Sequence, residues 1–160
     1  KALRCGGSTR AESVFNGLQA LLDEGTDPAD WVLVHDAARC LVTAPMVDAL
    51  IDACQHDAVG GLLAIPLPDT LKAESDGRVG ATVDRAGKWL AQTPQMFRLG
   101  ALHAALKATA ADRFAGVTDE ASAMEMAGHR PLLVQGSARN FKITYPDDFA
   151  LAEAIFRSRA

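Results

Sequence analysis

The sequence has few cysteines and no pattern among them. Cys5, Cys40 and Cys54 form an odd set with neither a CxxC pair nor Cys/His ligand spacing. A disulfide framework or zinc site is therefore not expected, and free thiols in a reducing compartment are. Long apolar runs are also missing: nothing approaches the ~20 residues that span a bilayer. Lys1-Ala2-Leu3-Arg4 does not open like a signal peptide. Positive charge is not in excess. With 16 Lys and Arg against 20 Asp and Glu, the net charge is −4, which argues against a broad nucleic-acid surface but leaves room for a local Arg/Lys cluster. No repeat, linker or low-complexity stretch is visible. GxSxG, GxGxxG and Walker A loops are absent, Cys40 and Cys54 have no evident His partner, and His56, His103 and His129 show no metal spacing. These absences count against covalent catalysis.

What remains is an ordinary globular composition, 49% hydrophobic and 22% charged. A chain of 160 residues suits one domain that buries roughly 70% of its unfolded surface. Thr9-Arg10-Ala11-Glu12 is a capping-box pattern, and Val14, Leu18, Leu21 and Leu22 follow at helical spacing. This predicts a helix from about Arg10 to Glu24, stopped by Gly25. Trp31–His35 reads as a short buried strand of the parallel type. Pro45 opens a helix, and Gly60-Gly61 lead into a strand over Leu62–Ile65. Pro66 to about Gln92 is too polar to hold a core and reads as a hairpin-like excursion around Asp76-Gly77. Further helices are expected around Leu99–Leu106, after Thr118, and from Pro146 with Phe149, Ala152, Ile155 and Phe156 on one face. Leu132–Val134 and Phe141–Ile143 read as strands. The fold class is α/β with a mostly parallel sheet.

In open α/β sheets, ligands bind beyond the carboxyl ends of the strands. Four clusters of polar residues fit that place. Gly6–Val14 puts glycines before a helix N-terminus, where free amides favour anions; locally it reads equally as a turn with a cap. His35-Asp36-Ala37-Ala38-Arg39 follows a buried strand. Asp36 suits Mg²⁺, the two alanines let a sugar or phosphate lie on the backbone, and Arg39 suits phosphate. The excursion carries Thr70 and Arg85, types that bind a phosphorylated ligand but that locally suit a solvated hairpin better. Thr93, before a proline, could offer its hydroxyl. Lys142, between Phe141 and Ile143, points opposite to them and is either an edge charge or a point charge for phosphate.

Together these pieces resemble the 2-C-methyl-D-erythritol 4-phosphate cytidylyltransferases of the non-mevalonate isoprenoid pathway. The matching segments run in family order. They are Gly6-Gly7 with Arg10 and Ser13-Val14, then Val34–Arg39, Asp69–Lys72 and Thr82–Arg85. Gln92–Gln95 with Phe97, Thr118–Ala121, and Asn140–Thr144 with Pro146 and Asp148 complete them. The resemblance implies a Rossmann-like nucleotidyltransferase fold and a cytoplasmic homodimer joined through a protruding β-arm at 66–92. It implies a single domain over 1–160 that is N-terminally incomplete. The implied reaction moves CMP from CTP to methylerythritol phosphate with Mg²⁺ and releases pyrophosphate. Carried onto this chain, Gly7, Ser8 and Ser13 meet cytosine, Ala37 lies by the ribose, and Asp36 takes the metal and substrate position. Arg39, Thr93 and Thr118 line the substrate pocket. Arg85 and Lys142 are the catalytic positions, Arg85 reaching with Thr70 into the partner's site.

Three departures stand out. Ser8 replaces a common Asp, and Cys40 replaces a common Pro. The family's glycine-rich loop with its Arg and Lys precedes the matched region. The resemblance therefore predicts that these 160 residues alone are inactive. A ribitol 5-phosphate cytidylyltransferase would share fold, metal and CTP, but tends to carry Val in place of the second Ala. A non-catalytic nucleotide-binding module is the alternative of a different class.

Overall fold

The computed structural model describes residues 1–159. Helix α1 spans Arg10–Asp23, and the Thr9 side chain caps it by accepting from the Glu12 N–H. The expected reciprocal bond is displaced by one residue: Glu12 reaches back to the Ser8 N–H and hydroxyl, 2.6 Å each. Strand β1 (Trp31–Val34) follows, then α2 (Ala44–Cys54) with Pro45 in its first turn. Strand β2 covers Gly60–Pro66, β3 Leu71–Ser75, β4 Arg78–Val83 and β5 Trp89–Arg98. Helices α3 (Leu99–Thr109) and α4 (Glu120–Met126), strand β6 (Leu132–Gln135) and helix α5 (Pro146–Arg157) complete the chain.

The main sheet has the order β1-β5-β2-β6. β1, β2 and β6 run the same way, which meets the α/β expectation of a mostly parallel sheet, and β5 alone runs against them. β1 differs from the parallel type its composition suggests in its pairing: among the described residues it ladders antiparallel with β5. The alternation of side chains sorts two cores. Leu62 and Phe97 face α1, α3 and α4, where Leu18, Leu102, Leu106 and Met124 are buried. Leu63 and Met96 face α2, with Leu50 and Cys54. Each fully buried Leu contributes about 1.5–3 kcal/mol.

β5 is the element the sequence conceals. Trp89-Leu90 reads there as the end of the excursion, and Pro94 argues against a central strand. The register resolves the conflict. Leu62 pairs with Gln95 and Ala64 with Ala91, so Gln92, Thr93 and Pro94 stand opposite Leu63 alone. Pro94 therefore sits in a bulge, where no ladder hydrogen bond is asked of it. The bulge also turns Thr93 toward the end of β1.

Two other expectations change. Phe141–Ile143 forms no strand. One backbone bond, from the Ile143 N–H to the Ala38 carbonyl, ties it to the loop after β1, and one bond is not a ladder. On α5 only Ala152 is buried, while Phe149 and Phe156 are exposed. The expected excursion is present as the hairpin β3–β4, turned by Asp76 and Gly77 at φ 51° and 74°, the positive values a two-residue turn of this kind requires. Nearly all its residues are exposed.

Candidate active site

The carboxyl end of β1, the N-terminus of α1 and the segment after β6 converge on one cavity of about 400 Å³. Arg10, Ser13, Asp36, Ala37, Ala38 and Lys142 are among the residues that line it. Its floor is small because Ala37 and Ala38 are small. Its wall is a string of alternating charges. Lys142 Nζ lies 3.2 Å from Asp36 Oδ2. Arg10 Nε donates to Asp36 Oδ1 at 2.8 Å. The two terminal nitrogens of Arg10 donate to the two oxygens of Glu120 at 2.7 and 2.9 Å. Burial pulls the Arg10 guanidinium down, but the carboxylates of Glu120 and Asp36 outweigh it and hold Arg10 firmly protonated. Burial likewise disfavours the charged Asp36, yet Arg10 and then Lys142 keep its carboxyl below the usual range.

A second network, without a carboxylate, lies behind this wall. The Thr93 hydroxyl accepts from the Asp36 N–H at 3.0 Å and bonds His35 Nδ1 at 3.0 Å. His35 Nε2 bonds the Arg39 carbonyl at 3.1 Å. Asn140, fully buried, donates from Nδ2 to the Thr93 carbonyl at 2.9 Å. Arg39 donates to the carbonyls of Asn140 and Ala91, and burial, only partly offset by Asp36, pushes its guanidinium below the ordinary value. Thr93 and Arg39 are thus turned inward, where they brace the loop. The residue types suggest ligand contacts because sequence does not show which way a side chain turns.

The remaining candidates are spread out. Gly7 and Ser8 precede α1: the Gly7 N–H donates to the Ser13 hydroxyl at 2.9 Å, and an added Cβ at Gly7 would meet Glu12. Thr118 borders a neighbouring recess with Thr9 and Arg10, and its N–H donates to Ser122 Oγ. Thr70 and Arg85 are exposed near the β3–β4 hairpin, and the Arg85 guanidinium donates to the Pro68 carbonyl. Neither lines the cavity. Sequence reasoning missed Glu120 and Asn140 as site residues, and Arg10 entered only as part of a motif. An acid in the first turn of a helix is ordinarily placed by the helix dipole, so Glu120 carries no signal of its own in the sequence. Only its burial shows that it is paired.

Among the described residues, no three of His, Cys, Asp and Glu converge as a metal-binding set. Asp36 alone reaches the cavity as a carboxylate, beside two cations. That donor set fits Mg²⁺ held mostly by ligand phosphates and water, with one protein oxygen.

The family model for 2-C-methyl-D-erythritol 4-phosphate cytidylyltransferase, IspD, matches residues 2–158. The chain is 64% identical over 156 residues to a bifunctional enzyme IspD/IspF of Albidiferax ferrireducens, covering 98% of this chain and 36% of the relative. It is 58% identical over 157 residues to a 2-C-methyl-D-erythritol 4-phosphate cytidylyltransferase of Chromobacterium violaceum, covering 98% and 67%. The chain thus spans between about a third and two thirds of these relatives. A crystal structure of a 4-diphosphocytidyl-2C-methyl-D-erythritol synthase superposes with a TM-score of 0.87 at 49% identity, over 94% of this chain and 68% of that one. The Francisella tularensis 2-C-methyl-D-erythritol 4-phosphate cytidylyltransferase gives 0.86 at 40% identity, over 93% and 69%. On this sequence match and this shared fold, the chain belongs to the 2-C-methyl-D-erythritol 4-phosphate cytidylyltransferase family.

Proposed function

We propose that this protein transfers CMP from CTP to 2-C-methyl-D-erythritol 4-phosphate. The products are 4-diphosphocytidyl-2-C-methyl-D-erythritol and pyrophosphate, and the role lies in isoprenoid precursor synthesis. An acceptor phosphate oxygen bonds the α-phosphorus of CTP, and the bond from that phosphorus to the bridging oxygen of pyrophosphate breaks. No protein nucleophile is required, so the chain's task is positioning and charge neutralisation. The observation that carries the proposal is the Asp36–Lys142 pair. It stands over an alanine floor at a strand's carboxyl end, with Arg10 behind it.

Lys142, about half exposed, is free to turn from Asp36 to a phosphate oxygen as the ligand arrives. Asp36 is the residue that would hold Mg²⁺, and the bound ion would supply charge neutralisation at the reacting phosphates. Gly7, Ser8 and Ser13 form the cytosine edge, Ala37 lies under the ribose, and Thr118 lines the substrate side from the neighbouring recess. Arg39 and Thr93 hold the loop that carries Asp36. Thr70 and Arg85 serve the site of a second copy, across a homodimer joined through the arm at 66–92. That role gives an exposed two-stranded hairpin a partner, since such a ribbon is marginal alone.

The test is pyrophosphate release from CTP and Mg²⁺ by the complete gene product, with methylerythritol 4-phosphate and ribitol 5-phosphate as parallel acceptors. Release with methylerythritol phosphate alone is expected. Release with ribitol phosphate alone overturns the acceptor assignment, and no release with either overturns the enzymatic reading.

A further inference from the structure

Glu120 is the one member of the charge string that does not border the main cavity. It is the first residue of α4 and is 2% exposed. Its position is fixed from outside the site. Buried Gln95 on β5 accepts from the Ala121 N–H at 2.7 Å and donates to the Asp119 carboxylate at 2.9 Å. Asp119 in turn caps α4 through the Ser122 N–H at 2.8 Å. The carboxylate of Glu120 therefore meets Arg10 from a frame that β5 holds still.

The bidentate contact has a consequence for Arg10. Its terminal nitrogens are matched to a planar carboxylate, the partner an arginine fork fits best. Nε holds Asp36, so two carboxylates together engage all three nitrogens of the guanidinium. Without Glu120, Arg10 would be a half-buried cation facing an anionic ligand, and a phosphate would compete with Asp36 for its fork. We infer that Glu120 is a positioning residue. It acts through Arg10, keeping the guanidinium off the ligand's phosphates and Asp36 fixed at the cavity wall, so that phosphate charge falls to Lys142. This inference rests on the cytidylyl-transfer reading for its kinetic consequence, but not for its geometry.

The experiment uses the complete gene product with ¹⁵N-labelled arginine. The Arg10 Nε–H signal is assigned by its loss in Arg10→Lys. The parent should show that proton slowly exchanging. Glu120→Gln should lose the protection while the backbone spectrum stays folded. kcat should drop at least tenfold while the KM for CTP stays level or falls. Glu120→Asp, which keeps the charge, should recover part of kcat. In an Arg10→Gln background, Glu120→Gln should cost nothing more.

Unchanged Nε–H protection and kcat in Glu120→Gln overturn the inference. So do additive losses in the double variant, or losses that follow only the folded fraction. If Glu120→Gln does not fold, Glu120→Asp decides by the same signal. It withdraws the carboxylate by one methylene, and unaltered protection there also overturns the inference. If the parent transfers no CMP, the functional reading has failed, and the Nε–H signal alone decides whether Glu120 restrains Arg10.

Discussion

Asp36 gathers the site's electrostatics onto one side chain. Both its oxygens face cations, Arg10 at 2.8 Å and Lys142 at 3.2 Å. Asp36→Asn keeps the shape and removes the charge. Transfer should fall about 10²-fold or more, as loss of a preorganised charge typically does. Stability should fall by only about 1–2 kcal/mol, because Glu120 still neutralises Arg10 and Lys142 reaches water. Steady-state kinetics and a thermal melt check the two halves, and full activity in the variant would remove Asp36 from the site. Cys54 makes a different residue-scale case. It is fully buried between α2 and the sheet, and burial, with a smaller push from Asp57, raises its thiol from 9.0 to about 11. Because the folded value lies above the unfolded one, the neutral thiol's stabilisation is intact below pH 9 and lost as pH climbs toward 11. The loss should be about 2 kcal/mol by denaturant titration across that window, and Cys54→Val should flatten it. A parent whose stability is level from pH 8 to 11 would show that Cys54 is not the titrating group.

At the scale of elements, glycines set how close strands can approach. Gly60 opens β2 at φ 107°, and a Cβ there would strike the Met96 carbonyl of β5. Gly60→Ala should cost about 2–4 kcal/mol, combining left-handed strain with a displaced ladder. A shift in the urea midpoint reads it out, and a change below 0.5 kcal/mol would mean that β2 and β5 separate easily. The same strand pair marks the limit of legibility. Helices α1, α2, α3 and α4 and strands β2 and β6 could be read because each is a local period with a visible start or stop. β5 could not, because its two halves are joined through a bulge whose partner, Leu63, lies about thirty residues earlier. Phe141–Ile143 has strand-like alternation but no neighbour to ladder with. The site was legible in the same uneven way. Asp36 and Lys142 announce themselves by charge beside apolar runs. The inward turn of Thr93 and Arg39 and the burial of Glu120 depend on contacts 57, 52 and 110 residues apart, which no local window contains.

For the whole molecule, the β3–β4 hairpin is the unbalanced part. It adds exposed surface, Val79 included, and carries Arg85 away from the cavity. If its role is to complete the site of a second copy, each working site needs Asp36 from one protomer and Arg85 from the other. Arg85→Ala alone should raise the KM for the acceptor several-fold more than that for CTP, and equal losses would contradict the assignment. A mixing experiment separates the two geometries more sharply. At an acceptor concentration below the parent's KM, the Asp36→Asn and Arg85→Ala proteins should each be much less active than the parent when measured alone. Unfolded and refolded together in equal amounts, half of the dimers are mixed. In each mixed dimer one site inherits both lesions, and the other inherits intact Asp36 and intact Arg85. About a quarter of all sites should then be whole, and activity should recover to about a quarter of the parent's, as closed two-fold symmetry requires. If Arg85 instead folds back onto the cavity of its own chain, every site carries one lesion whatever the pairing. The mixture then shows only the average of the two variants.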